Sequence, residues 1–217
     1  FVAIVGESGI GKTTLIRILM AFLETGAGTV DFYNGSGQRQ ETGAFVRKFI
    51  AYVPQGNTLF SGTVRENLQM GREDASEEEL WAALKLASGE NFVRSLPEGL
   101  DTVIGSSGTR LSGGQAQRLA LARTLAHRRP VLVLDDPFSA LDRNTEDIVF
   151  RNLQEYAKDK VVFLISHRLY HFPQMQQVIF MDGGKTTVGT HTELMAAEPI
   201  YRQLYESQTS RKGGGEA

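Results

Sequence analysis

The 217-residue chain is 41% hydrophobic, carries a formal charge of −2 at pH 7 and has no cysteine. That length and apolar content suit one domain with a buried core and room for an inserted subdomain, and exclude a disordered tail. The near-neutral charge gives no reason to expect nucleic acid as a partner, and the missing cysteines exclude disulfides and thiolate metal sites, as fits a reducing cytosolic compartment.

The opening FVAIVGESGIGKTTLIRILMAFLETGAG reads as a strand, a glycine-rich turn and a helix with Leu15, Ile18, Leu19 and Phe22 on one face. Gly26 is its expected stop. TVDFY and FIAYV are short strand candidates, separated by a Gly/Ser turn at Asn34 to Gly37. From Ser76 the pattern turns helical: Ser76 and Glu79 form a capping box ahead of Leu80, Ala83, Leu84 and Ala87, and the helical insert runs to about Arg129. Strand VLVLD, helix Glu146 to Ala157 and strand VVFLIS follow, the alternation of a parallel sheet flanked by helices. A hairpin VIFMDGGKTTVG comes next, then a second capping box, Thr190 with Glu193, opening a last helix, and a frayed tail SRKGGGEA. The apolar runs fall far short of the roughly 18 residues that cross a bilayer, and no secretion signal opens the chain.

Three stretches carry chemistry. GESGIGKT, Gly6 to Thr13, fits the phosphate-loop pattern of glycine, four residues, then Gly-Lys-Ser/Thr. Backbone amides of Gly6, Glu7, Ser8, Gly9, Ile10 and Gly11, with Lys12, Thr13 and Thr14 at the helix start, would surround phosphate oxygens with donors. Lys12 would reach the β and γ phosphates, and the Thr13 hydroxyl would ligate Mg²⁺. An ordinary glycine turn is the bland alternative.

VLVLDDPFSALD, Val131 to Asp142, ends an apolar strand in Asp135, the carboxylate such a loop needs for its magnesium. The neighbouring Asp136 is placed to polarise an attacking water if its oxygen reaches that water. It is shorter than glutamate by one bond, roughly 1.5 Å. LSGGQ, Leu111 to Gln115, is a second anion-binding helix start: Ser112 caps the helix, and Gly113 and Gly114 allow close backbone approach.

Taken together these motifs resemble the nucleotide-binding domain of an ABC transporter, and the likeness covers nearly the whole chain. It implies an α/β fold: a P-loop NTPase core with a mostly parallel sheet over 1–73 and 130–190, a small antiparallel β portion, and an inserted α-helical signature subdomain over 74–129. A C-terminal helix and tail occupy 191–217. The resemblance makes Gln55, in YVPQ, a contact to Mg²⁺ and water, His167, in ISHRL, a contact to the γ-phosphate, and Asp142, in SALD, part of the loop that joins two domains. It further implies ATP hydrolysis with Mg²⁺ in a head-to-tail pair. There Ser112, Gly113, Gly114, Gln115 and Asp142 serve the ATP held by the partner's phosphate loop. LFSGTVRENL, HRL and GTHTEL resemble exporter-type domains, which follow a membrane domain in the same longer chain and work at the cytoplasmic face of the cell membrane. His127, His171 and His191 match nothing and read as structural or solvated.

Three departures follow. Asp136 stands where competent members carry a glutamate base. Ser106 stands where exporters usually have a glutamate facing the other subunit's intracellular loops. The aromatic residue that stacks on adenine lies upstream of this sequence; such a contact is worth roughly 1–3 kcal/mol, so weak ATP binding by this chain alone is expected. The favoured assembly is a heterodimer in which Asp136 marks an impaired site and LSGGQ completes the partner's. The alternatives are a slower homodimer, an ATP-dependent dimerisation switch with little hydrolysis, and a soluble ABC ATPase.

Overall fold

The computed structural model describes residues 1–33, 35–56, 58–70, 72–105 and 108–209. In chain order the elements are β1 (Val2–Gly6), α1 (Lys12–Leu19), β2 (Asp31–Tyr33), β3 (Arg39–Glu41), β4 (Ile50–Val53), β5 (Gly62–Thr63), α2 (Val64–Gln69), α3 (Glu77–Leu86) and α4 (Glu90–Arg94). They continue with β6 (Val103–Ile104), α5 (Gly113–Ala126), β7 (Val131–Asp135), α6 (Arg143–Tyr156), β8 (Val161–Ile165), β9 (Gln177–Asp182), β10 (Lys185–Gly189), α7 (His191–Ala197) and α8 (Pro199–Thr209). Two compact units result, Phe1–Phe49 with Val161–Ala217, and Ile50–Lys160.

In the first unit β1 is the central strand. It pairs in parallel with β8, Ile4 opposite Ile165, and with β9, Gly6 opposite Met181; β9 continues antiparallel into β10. Ala3 and Ile4 are wholly buried, as strands covered on both faces require. The β9–β10 hairpin turns through Gly183 and Gly184, both with positive φ, the conformation that a two-residue loop needs to match strand twist. A separate antiparallel ribbon joins β2 to β3.

In the second unit β4 and β7 pair in parallel, Ile50 opposite Val131 through Val53 opposite Leu134, and β5 meets β6 antiparallel. Helix α5 carries the core here: Leu119, Leu121 and Ala122 are fully buried. The mostly parallel α/β arrangement with small antiparallel pieces is as expected from the alternation of strands and helices.

Four local expectations need correction. Helix α1 stops at Leu19 rather than near Gly26, because Ala21 turns into the left-handed region (φ 53) and closes the end with Phe22 N–H donating to Arg17 O (2.8 Å). That bond spans six residues, as in a Schellman closure. Its buried positions are accordingly Lys12 and Ile16, with Met20 at the cap, and Phe22 is 55% exposed under the Arg47 guanidinium. Helix α6 begins three residues early, since Asp142 accepts from the Thr145 amide and caps it. The last helix is two, because Pro199 forces Glu198 into an extended conformation and then opens α8. A further helix, α2, precedes Ser76, opened by a capping box of Thr63 and Glu66. The expected boxes at Ser76/Glu79 and Thr190/Glu193 both form with their reciprocal bonds. Asn34, Ser106 and the tail from 210 to 217 lie outside the described residues.

Candidate nucleotide site

The glycine loop follows β1 directly, and its geometry belongs to the first unit. A Cβ on Gly6 would stand 2.3 Å from the Met181 carbonyl oxygen, so only glycine lets the strand lie this close to β9 before the turn. Gly9 and Gly11 take φ of +82° and +109°. Gly11 is the N-cap of α1 and offers no side-chain acceptor, and the first turn, Lys12 to Leu15, holds no acid. The helix start therefore carries neither a side-chain cap nor an acid that would compete with an anion. The Lys12 side chain is 7% exposed and folds back over the loop, its Nζ donating to Gly6 O (2.8 Å) and Glu7 O (2.7 Å). A buried ammonium over a glycine loop at a helix start fits a phosphate chain. His167 is exposed beyond β8. Its carbonyl accepts from Gln208 Nε2 (2.7 Å), while Gln208 Oε1 accepts from the Leu169 amide (3.0 Å). A helix residue 41 positions away thus holds both sides of that turn, and no local sequence pattern announces it.

In the second unit β7 delivers Asp135 and Asp136 at its carboxyl end, 3% and 8% exposed. Asp136 is one of four non-glycine residues with positive φ (52°) among those described. Gln55 is exposed two residues past β4. Nearby, Arg123 of α5 reaches Thr58, donating to its carbonyl (3.0 Å) and to its Oγ1 (2.6 Å). Burial pulls the Arg123 guanidinium below its usual range.

The signature residues open α5 with a complete capping box. Ser112 Oγ accepts from the Gln115 amide (3.2 Å), and Gln115 Oε1 accepts from the Ser112 amide (2.9 Å). Gly114 packs so closely on the loop after β7 that a Cβ would lie 2.9 Å from Ala140 O. Ser112, Gly113, Gly114, Arg118 and Asp142 line one concavity of about 440 Å³. Four of the five residues expected to act on a partner's nucleotide thus share one surface. Asp142 is occupied as a cap, and the hydroxyl and amide of Thr145 hold its carboxyl below the usual range. Of the remaining histidines, His127 is half-buried among arginines, His171 is buried against Tyr170, and His191 meets Tyr201 Oη at 2.7 Å. These are packing roles.

Fold and loop define a P-loop nucleotide-binding α/β domain. The model of the ABC transporter family matches residues 1–139. A probable multidrug resistance ABC transporter ATP-binding/permease protein of Bacillus subtilis is 40% identical over 220 residues, spanning all of this chain and 37% of its own length. Multidrug resistance protein pgp-1 of Caenorhabditis elegans is 39% identical over 96% of this chain and 16% of its own. A solved bacterial Atm1-family ABC exporter with ATP bound superposes with a TM-score of 0.87 at 34% identity, over 96% of this chain and 37% of that one. The chain belongs to the ABC transporter family, as an ATP-binding domain of the exporter kind. Domains of this family hydrolyse ATP. The chain spans well under half the length of these relatives. Among the described residues no helix is long and apolar enough to cross a membrane.

Proposed function

We propose that this domain binds Mg-ATP and hydrolyses it to drive substrate export through a transmembrane domain of the same longer chain, at the cytoplasmic face of the cell membrane. It works as one half of a head-to-tail pair of nucleotide-binding domains. Within it, 1–73 and 130–190 serve as the P-loop core, 74–129 as the signature subdomain and 191–217 as a C-terminal segment. The observation that carries the reading is the concavity where Ser112, Gly113 and Gly114 meet Asp142. A hydroxyl and two glycine amides at an exposed start of a 14-residue helix suit an anion delivered by another molecule.

Residues Gly6 to Thr14 cradle the phosphates, with Lys12 as the charge. Thr13 hydroxyl, Asp135 carboxylate and Gln55 carboxamide oxygens are hard donors suited to Mg²⁺, which neutralises charge on the phosphates when bound. Asp136 accepts the proton of the attacking water, Gln55 orients that water, and His167 supports the γ-phosphate. The carboxylate of Asp136 is short by roughly 1.5 Å against glutamate, so this site turns over slowly. The favoured assembly is a heterodimer whose other subunit owns the competent site.

Turnover at saturating Mg-ATP by the wild type and Asp136→Glu tests this. General-base catalysis typically supplies about 10²–10⁴-fold, so a gain of tenfold or more is expected in the variant. Equal and appreciable rates would mean that Asp136 suffices and that a homodimer works.

A further inference from the structure

One side chain holds the loop after β7 from outside it. Gln117, three residues after Gly114 on α5, donates from Nε2 to Asp136 O (3.1 Å) and to Ser139 Oγ (2.9 Å), and its Oε1 accepts from the Ala140 amide (2.9 Å). Asp136 O also accepts from the Ser139 amide (3.4 Å) and from Ser139 Oγ (3.3 Å). On the amino side, the pairing of β7 with β4 fixes the backbone up to Leu134. On the carboxyl side Gln117 fixes the peptide planes at 136 and 140. The backbone between them runs through an aspartate at φ 52°, a conformation that costs roughly 1–2 kcal/mol and persists only where surroundings hold it. The close seat of Gly114 on Ala140 O sets the distance over which the carboxamide reaches.

We propose that Gln117 is a positioning residue for the reaction: its carboxamide ties the signature helix to the Asp136–Ala140 turn and thereby sets the direction of the Asp136 carboxylate. This rests on the reading of Asp136 as the group that acts on the attacking water. No other unbranched side chain of this length is both donor and acceptor at neutral pH. Methionine keeps the shape and loses every bond. Glutamate, ionised at neutral pH, keeps the acceptor and loses the donors.

The test uses the full chain and its Gln117→Met and Gln117→Glu variants. Amide hydrogen exchange without nucleotide should show the Ala140 amide exchanging at least tenfold faster in Gln117→Met, with the α5 amides Leu119 to Leu125 unchanged. In turnover, kcat should fall about 10–100-fold, the scale on which a misplaced reacting group is felt, while KM and the Kd for ATP stay within twofold. The Gln117→Glu defect should match or exceed that of Gln117→Met throughout pH 6 to 8, where the new carboxylate is ionised and faces the Asp136 carbonyl oxygen in place of a donor. Unchanged exchange at Ala140 overturns the clamp. Exchange that rises with kcat intact, or a kcat loss matched by equal losses in Kd and melting temperature, overturns the positioning role. Absence of turnover in the wild type and in Asp136→Glu alike would sink the reading of Asp136, and exchange at Ala140 would still decide whether the clamp exists.

Discussion

Asp136 answers to two demands that pull apart. Its backbone sits at φ 52°, where a short polar side chain is tolerated better than a long one because it can hydrogen-bond locally. Its proposed chemistry asks for reach, which glutamate supplies. Asp136→Glu is therefore expected to gain turnover and lose stability together, by up to about 1 kcal/mol, readable as a lower midpoint in the same preparation that is assayed. The phosphate-loop glycines show a similar separation of causes. Gly9 has open space around its missing Cβ, so Gly9→Ala meets only the strain of φ +82°, roughly 1–2 kcal/mol. Gly6 has no unusual φ, but its Cβ would collide with the backbone oxygen of Met181 at 2.3 Å. Strands β1 and β9 must part to admit it, an overpacking cost of about 1–3 kcal/mol or more. Denaturant unfolding of the two variants, with ATP binding by calorimetry, separates them: Gly6→Ala should also displace the Gly6 carbonyl from Lys12 Nζ and weaken binding. A Gly6→Ala protein of wild-type stability would contradict the β1–β9 packing.

At the scale of elements, helix ends decide more than helix propensities. Ala21 and Ser88 both occupy the left-handed position after a helix (φ 53° each), and each is followed by a six-residue closing bond, Phe22 N–H to Arg17 O and Gly89 N–H to Leu84 O. Glycine is the residue such a position favours. Relief of roughly 1–2 kcal/mol of backbone strain, less about 0.4–1 kcal/mol for the looser unfolded chain, leaves Ala21→Gly and Ser88→Gly each stabilising by about 0.5–1 kcal/mol. The thermal midpoint should rise by about 1–4 °C in each case; a fall in either would refute the closure at that helix. These ends also show what the sequence made legible. Capping boxes declare themselves three residues apart, so Ser76/Glu79 and Thr190/Glu193 could be read directly, as could the strands VLVLD and VVFLIS from their apolar runs. The stop of α1 could not, because an alanine in a left-handed turn carries no compositional mark and the apolar pattern runs on to Phe22. Asp142 carries an interface motif in the sequence, and that motif hides its second task as the cap of α6. The phosphate loop and signature are local motifs and stood out. Gln117 and Gln208 bind loops 19 to 41 residues away in the chain, and separations of that kind leave no periodicity to find.

For the molecule as a whole, stability against pH should be set by its half-buried histidines, His127 and His191, before its acids. His127 lies in the second unit, where burial first, and then the like charges of Arg129, Arg123 and Arg72, push its pKa below the ordinary 6.5. His191 lies in the first, packed against the rings of Tyr201 and Tyr205 with its Nδ1 at 2.7 Å from Tyr201 Oη, and burial pushes it down as well. Both rings are held neutral in the folded state and charge more readily in the unfolded one. The unfolded chain therefore binds more protons as pH drops past 6.5, and stability, complete above that value, declines until the depressed folded pKa values are passed. The carboxylates of Glu77, Glu79, Asp101, Asp142, Glu193 and Glu198 are all held low by their partners, so their contribution stays intact through this window and is lost only below the ordinary carboxylate range. Two separate declines should appear in a series of thermal midpoints from pH 8 to 3. In His127→Gln the first decline should be shallower than in the wild type while the second is unchanged, since glutamine has no proton to take up and the arginines around position 127 no longer face a new positive charge. If His127→Gln follows the wild-type curve between pH 7 and 5, the histidine is not what destabilises the fold there, and the burial of its ring does not hold it neutral.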